Sequence, residues 1–174
     1  MSRDVLTIGV ISDTHLPRFG RRVPPALERG LRDAGVQRIL HLGDITGADV
    51  PGWFETIAPF DAVAGNNDGE ELRARFGRRK VVTLDGMRIA MTHGDEGPGR
   101  TTLQRAIGTF AADDPDVILF GHSHIPYLGR HGRTLVLNPG SPSDKRRQPR
   151  YTWATLVIAD GTATAQLHAY DDRG

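Results

Sequence analysis

Five short apolar segments of this chain each end in a polar tip. Residues 5–12 run into Asp13-Thr14-His15, residues 38–42 into Gly43-Asp44, and residues 62–64 into Gly65-Asn66. Residues 87–92 end in His93-Gly94, and residues 116–120 in Gly121-His122-Ser123-His124. This layout predicts buried strands whose C-terminal ends deliver functional groups, the habit of an α/β fold. Pro24 and Pro25 open a helical pattern over Ala26, Leu27, Leu31 and Ala34 that Gly35 stops, and residues 50–57 read as a second helix.

From Lys80 the texture changes. Asp85-Gly86 predicts a tight hairpin between residues 80–84 and 87–92, and further hairpins are expected to turn at His131-Gly132 and Asp160-Gly161. Residues 101–112 read as a helix with a threonine cap. Parallel strands in the first half and mixed or antiparallel strands in the second imply a sheet-on-sheet core with helices outside. Residues 17–23 and 141–150 are the only loose segments, so residues 1–174 are expected to form one domain.

Composition narrows the chemistry. The chain has no cysteine, which excludes disulfides and thiolate ligands. Its 21 Gly and 11 Pro make up about 18% of the residues, above the ~12% average but short of a low-complexity chain. A net charge of +1 supplies no field for nucleic acid or an anionic membrane, and two Trp with three Tyr make no broad base-stacking surface. Met1-Ser2-Arg3-Asp4 has no leader layout, and no apolar run approaches the ~18 residues of a membrane span, so the expected location is cytoplasmic.

The tip residues are all oxygen or imidazole donors. Strand alternation would let Asp13 with His15, and His122 with His124, each present a pair from one tip. Such a mixture suits Mn²⁺, Fe²⁺, Zn²⁺ or Ni²⁺. Each short motif alone is ordinary; their joint order at separate strand ends is not.

In that order (D-x-H, G-D, G-N, a histidine, then G-H-x-H) the chain resembles the calcineurin-like metallophosphoesterase superfamily. Within it, the chain looks most like the compact phosphodiesterase branch related to YfcE and retromer-subunit Vps29 proteins, which Asn138-Pro139-Gly140-Ser141 also matches. The resemblance implies a four-layer α/β/β/α sandwich of two mixed β-sheets flanked by helices. It implies two divalent ions, Mn²⁺ first among the candidates. Asp13, His15, Asp44 and His124 would hold one, and Asp44, Asn66, His93 and His122 the other, with Asp44 bridging. In that family a hydroxide between the ions attacks phosphorus in line, metal binding having lowered a water pKa from ~15.7 to about 7. Two ions, two aspartates and the hydroxide leave a charge of about +1 for an anionic ester.

Two departures bear on substrate. Asn67 stands where many relatives have a histidine, and it can donate a hydrogen bond but no proton of useful pKa. Asp95 stands where a second histidine is common. Small phosphodiesters with good leaving groups are therefore the expected substrates. The alternatives are a non-catalytic scaffold like the retromer subunit, or a nucleotide pyrophosphatase or phosphomonoesterase on the same centre. Asp68 is expected to orient its neighbours, and Arg18, the basic residue nearest the first motif, to reach substrate phosphate. The other clusters, Arg21-Arg22, Arg78-Arg79-Lys80 and Lys145-Arg146-Arg147 with Arg150, read as solvated charge. His41 reads as a core or supporting group, and His131 and His168 as structural. The C-terminal hairpins could supply an interface between copies.

Overall fold

The computed structural model describes residues 4–174; Met1 to Arg3, on which the reading of the N-terminus partly rests, lie outside the described residues. Ten strands form two five-stranded mixed sheets. The first contains β1 (Leu6–Ile11), β2 (Arg38–His41), β3 (Phe60–Ala62), β9 (Tyr151–Ala159) and β10 (Thr162–Tyr170), in the order β10-β9-β1-β2-β3. β1, β2 and β3 run parallel, and β9 returns antiparallel to β1. The second contains β4 (Arg79–Leu84), β5 (Met87–Thr92), β6 (Val117–Leu119), β7 (Tyr127–His131) and β8 (Thr134–Asn138), in the order β4-β5-β6-β8-β7.

Strand alternation divides the apolar residues among three cores. Ile8, Val10 and Leu40 face the opposite sheet and meet Ile89, Met91, Val117, Leu119 and Leu137. Ile11 and Ile39, on the other face, pack under α1 (Pro25–Asp33), α2 (Val50–Glu55) and α3 (Glu70–Phe76) through Leu27, Leu31, Phe54, Leu72 and Phe76. α4 (Thr102–Thr109) covers the second sheet through Ala106, with Phe110 and Phe120 beside it. Two sheets buried face to face with a helical layer on each outer side make the four expected layers.

The structure corrects several local expectations. The third strand lies at residues 60–62, because the ladder to β2 ends at His41–Ala62 and the Ala64 N–H turns away to Gly77 O. α3 had no counterpart in the sequence reading, although Glu70 and Glu71 in its first turn and Leu72 with Phe76 on one face mark it. α4 ends at Thr109, and residues 110–113 continue only as tight turns. His131 pairs with Thr134, which shifts that turn to Gly132-Arg133. Asp85-Gly86 and Asp160-Gly161 turn as expected, all four residues having left-handed backbones. No helix among the described residues is long and apolar enough to cross a membrane.

Candidate metal centre

The tips of β1, β2, β5 and β6 converge at one end of the sandwich. Past their last ladder pairs, the Asp13 N–H still donates to Gly43 O (2.9 Å), His15 N–H to Asp44 O (3.0 Å) and Gly121 N–H to His93 O (2.9 Å). Of the ten non-glycine residues with positive φ among those described, five are tip residues: Asp13, His15, Asp44, His122 and His124. Asp and His are among the side chains that tolerate this region best, but each position still costs about 1 kcal/mol. The donors are therefore aimed by left-handed turns beyond the strand ends, and not by strand alternation. One result is that His122 and His124 diverge. The His124 ring sits 5.2 Å from that of His15, whereas the His122 ring packs edge-on 5.1 Å from His93.

Close approach of the backbone is a condition of this geometry. A Cβ on Gly65 would lie 2.2 Å from Asp44 Oδ1 and 2.5 Å from the Asp44 nitrogen, so only glycine lets the β3 tip pass beneath that carboxylate.

Two groups of donors each gather within 4.8 Å: Asp13, His15 and His124, and Asp13, Asp44 and His93. Asp44 Oδ2 lies 3.4 Å from Nε2 of both His15 and His93, touching one imidazole of each group. His93 Nδ1 meets Leu42 O at 2.7 Å, and His124 Nδ1 meets Asp144 O. A carbonyl only accepts, so both Nδ1 atoms carry hydrogen, and in the neutral form of each ring it is the Nε2 lone pair that faces inward. The Nε2 atoms of His15, His93 and His124, together with Asp13 Oδ1, are buried and have no hydrogen-bond partner. His124 Nε2 stands 3.4 Å from Asp13 Oδ1, and His93 Nε2 3.7 Å, too far for good hydrogen bonds.

Carboxylate oxygens and imidazole Nε2 atoms buried this close together without hydrogen bonds call for a cation among them, a proton or a metal ion. Ligands ~2.1 Å from a shared tetrahedral ion stand ~3.4 Å apart, close to the 3.4–3.7 Å these atoms show. The donor set therefore fits divalent metal.

The titration shifts follow from the same crowding. Burial alone would push His93 down, but Asp13 and Asp44 carry it up to about 9. Burial likewise opposes the charged form of Asp44, yet His93 and two Asn67 donors hold it well below the usual carboxylate range. Asp13 is lowered against its burial by His93 and His124, and His124 is raised against its burial by Asp13. His15 and His122 are lowered, chiefly by burial.

A supporting shell holds the donors in place. Asp13 Oδ2 accepts from Ser12 Oγ (2.6 Å) and from the His122 N–H (2.9 Å). Ser141 and Ser143 hydroxyls donate to the carbonyls of Asp13 and Thr14, and Asn138 Nδ2 donates to Gly121 O. His41 Nδ1 accepts from the Gly43 N–H (3.2 Å), so its Nε2 donates to Thr14 Oγ1 (3.0 Å); burial pushes this imidazole down to about 3 and keeps it neutral.

The expected site residues fall into two sets. Asp13, His15, Asp44, His93 and His124 come together in the two close groups. His122 stands outside both groups, and Asn66 is exposed beside a cavity lined by Arg73, Arg78, Asp95 and Glu96. Asp95 is ion-paired with Arg78. Asn67 binds Asp44 twice, N–H to Oδ1 and Nδ2 to Oδ2, each at 2.9 Å. Asp68 is a positioning residue: its carboxylate accepts the N–H groups of Asp44, Thr46 and Gly65. Arg18 lies at the mouth of the site, and Arg146, which the sequence placed in a solvated run, lines the same cavity. A run of like charges carries no mark of which member will stand beside the site.

Residues 6–161 match the calcineurin-like phosphoesterase superfamily domain, and the chain belongs to that superfamily. It is 36% identical to a probable metallophosphoesterase of Methanothermobacter thermautotrophicus, over 88% of this chain and 84% of that one. A phosphodiesterase of Methanocaldococcus jannaschii is 28% identical, over 78% and 83% respectively. Vps29 of Entamoeba histolytica, solved as a complex with Zn²⁺, superposes with a TM-score of 0.74 at 19% identity, covering 94% of this chain and 99% of that one, a likeness of fold.

Proposed function

We propose that this metallophosphoesterase is a phosphodiesterase with a dinuclear centre, Mn²⁺ being the first candidate metal. The observation that carries the reading is the set of four buried polar atoms without hydrogen-bond partners, divided between two donor groups that share Asp13, with Asp44 Oδ2 3.4 Å from one imidazole of each. Asp13, His15, Asp44 and His124 would hold one ion; Asp44 and His93 the other, with His122 and Asn66 at the rim beside them. Bound divalent metal would supply Lewis acidity toward phosphoryl oxygen and a water deprotonated near neutral pH.

The chain's own groups shape the rest. The Leu42 and Asp144 carbonyls fix the His93 and His124 tautomers, leaving Nε2 as the ligand atom. Asn67 orients Asp44 and has no proton to give a departing alkoxide. Asp95 is engaged by Arg78. Leaving groups that depart unprotonated are therefore favoured, which selects activated diesters over alkyl monoesters.

The test is hydrolysis of bis-p-nitrophenyl phosphate against p-nitrophenyl phosphate, with Mn²⁺ or chelator, for wild type, Asp44→Asn and His93→Ala. The expected outcome is metal-dependent diester cleavage that both substitutions abolish. Turnover indifferent to chelator and to both substitutions would refute the proposal, and a folded, metal-loaded protein without turnover on any ester would favour a scaffold role.

A further inference from the structure

Two cavities flank the donor cluster, and their charge differs. On the Asn66 side, Arg78 is paired with both Asp95 and Glu96, and Arg73 donates to Asn66 O. On the other side, a cavity of about 300 Å³ is lined by His15, Arg18, Thr46, Asn67, Asp144 and Arg146. No ion pair engages Arg18 or Arg146 among the described residues. The Thr46 hydroxyl is spent on Leu16 O and the Asn67 amide donates to Asp44, so the guanidinium groups are the cavity's unpaired charged donors. Its one carboxylate, Asp144, lies 3.9 Å from His124 Nδ1, and its carbonyl holds that ring. Both arginines are exposed and unpaired, so an anion in this cavity would meet two free guanidinium groups.

The two loops are also pinned to each other. Arg173 Nη1 donates to Phe19 O (2.6 Å), next to Arg18, and to Ser143 O (3.2 Å), three residues before Arg146. Tyr170 OH donates to Pro142 O (2.6 Å), and Phe19 lies under the Arg18 guanidinium at 5.3 Å. One side chain thus sets the spacing between the loops that carry the two arginines, which is preorganisation.

We propose that Arg18 and Arg146 form a subsite for a second, non-scissile phosphate, so that the preferred substrates are phosphodiesters bearing a further phosphate, as in phosphorylated nucleotide diesters. The inference rests on the proposed phosphodiesterase reading. The cavity adjoins His15, which places the second phosphate on the first-ion side of the centre. It has room for the group and its water, one water taking ~30 Å³. The arginines sit at the mouth, so the preference weakens as salt rises.

The test compares two diesters that share one leaving group, thymidine 5′-p-nitrophenyl phosphate and its 3′-phosphorylated counterpart, on the Mn²⁺-loaded protein. Calorimetric binding of thymidine 3′,5′-bisphosphate against the 5′-monophosphate reads the subsite without turnover. The second phosphate is expected to lower KM and Kd about tenfold. Arg18→Ala and Arg146→Ala are each expected to bring the ratio close to one, while Arg29→Ala, on the exposed face of α1, leaves it intact. Arg173→Met is expected to shrink the ratio and Arg173→Lys to restore part of it. Cleavage of the plain diester with no gain from the second phosphate would overturn the subsite and leave the phosphodiesterase reading standing. A gain that survives Arg146→Ala would also overturn it. Failure to cleave either diester would instead refute the phosphodiesterase reading.

Discussion

Asp68 is 3% exposed and holds two strand tips together, so Asp68→Asn measures what that junction contributes. Oδ2 accepts from Asp44 N–H (2.8 Å) and Gly65 N–H (2.7 Å), and Oδ1 from Thr46 N–H (2.7 Å). Asparagine keeps one acceptor. Placed at Oδ2, its oxygen preserves two bonds but turns an NH₂ group against the Thr46 N–H; flipped, it loses two bonds. The better arrangement still forfeits one bond to a charged acceptor, ~1.5–3 kcal/mol, and leaves the half-buried Thr46 N–H unpaired, at most ~1–3 kcal/mol. Against this, burial pushes the Asp68 carboxyl up despite its three donors, so removing the charge returns part of its desolvation cost. The net expectation is a loss of about 2–3 kcal/mol in urea unfolding at pH 7.5, with weaker Mn²⁺ binding because Asp44 is no longer held. A change below about 0.5 kcal/mol with unaltered metal affinity would show that the tips are positioned without this carboxylate.

Other outcomes follow from the same geometry. Gly121→Ala would set a Cβ 2.0 Å from Ser12 Oγ and 2.7 Å from Asp13 Oδ2; overpacking of ~1–3 kcal/mol predicts a fall in Tm of about 3–10 °C by calorimetry. His41 is neutral when folded, at about 3 against 6.5 unfolded, so only the unfolded chain takes its proton between those values. Stability is therefore lost as pH falls below 6.5, by about 1–2 kcal/mol at pH 5 from this group, and urea midpoints at pH 7.5 and 5 should diverge less in His41→Asn. Mn²⁺ at a hundred times its Kd should stabilise the protein by ~2.7 kcal/mol, read as a Tm rise that chelator reverses and Asp13→Ala abolishes.

Much of this architecture is written locally. Short apolar runs and two Asp-Gly turns mark strands and hairpins, and the donors stand in order at the tips. What the sequence could not carry is where each donor points. His122 and His124 look equivalent at i and i+2, yet left-handed turns send one toward His93 and the other toward His15. Asp13 belongs to both close groups, whereas the resemblance directs attention to Asp44 as the shared ligand. Arg146 is one cation in a basic run until the 141–150 loop folds over the β1 tip, and Arg173 acquires meaning only beside carbonyls 154 and 30 residues away. The helix at Glu70–Phe76 was legible from its acidic first turn and its Leu72/Phe76 face.

The centre also lies across the seam between the two sheets. Asp13, His15 and Asp44 extend from one sheet, His93 and His124 from the other, and Asp13 is 80 and 111 residues away from those two histidines in sequence. In a chain without cysteine, an ion held there would close long loops much as a disulfide does. Each sheet has its own helix-covered core, and the face-to-face core between them joins the two away from the tips. Metal occupancy would then govern how firmly the halves are latched, and amide exchange at the strand tips would report that latch more sensitively than exchange in either core.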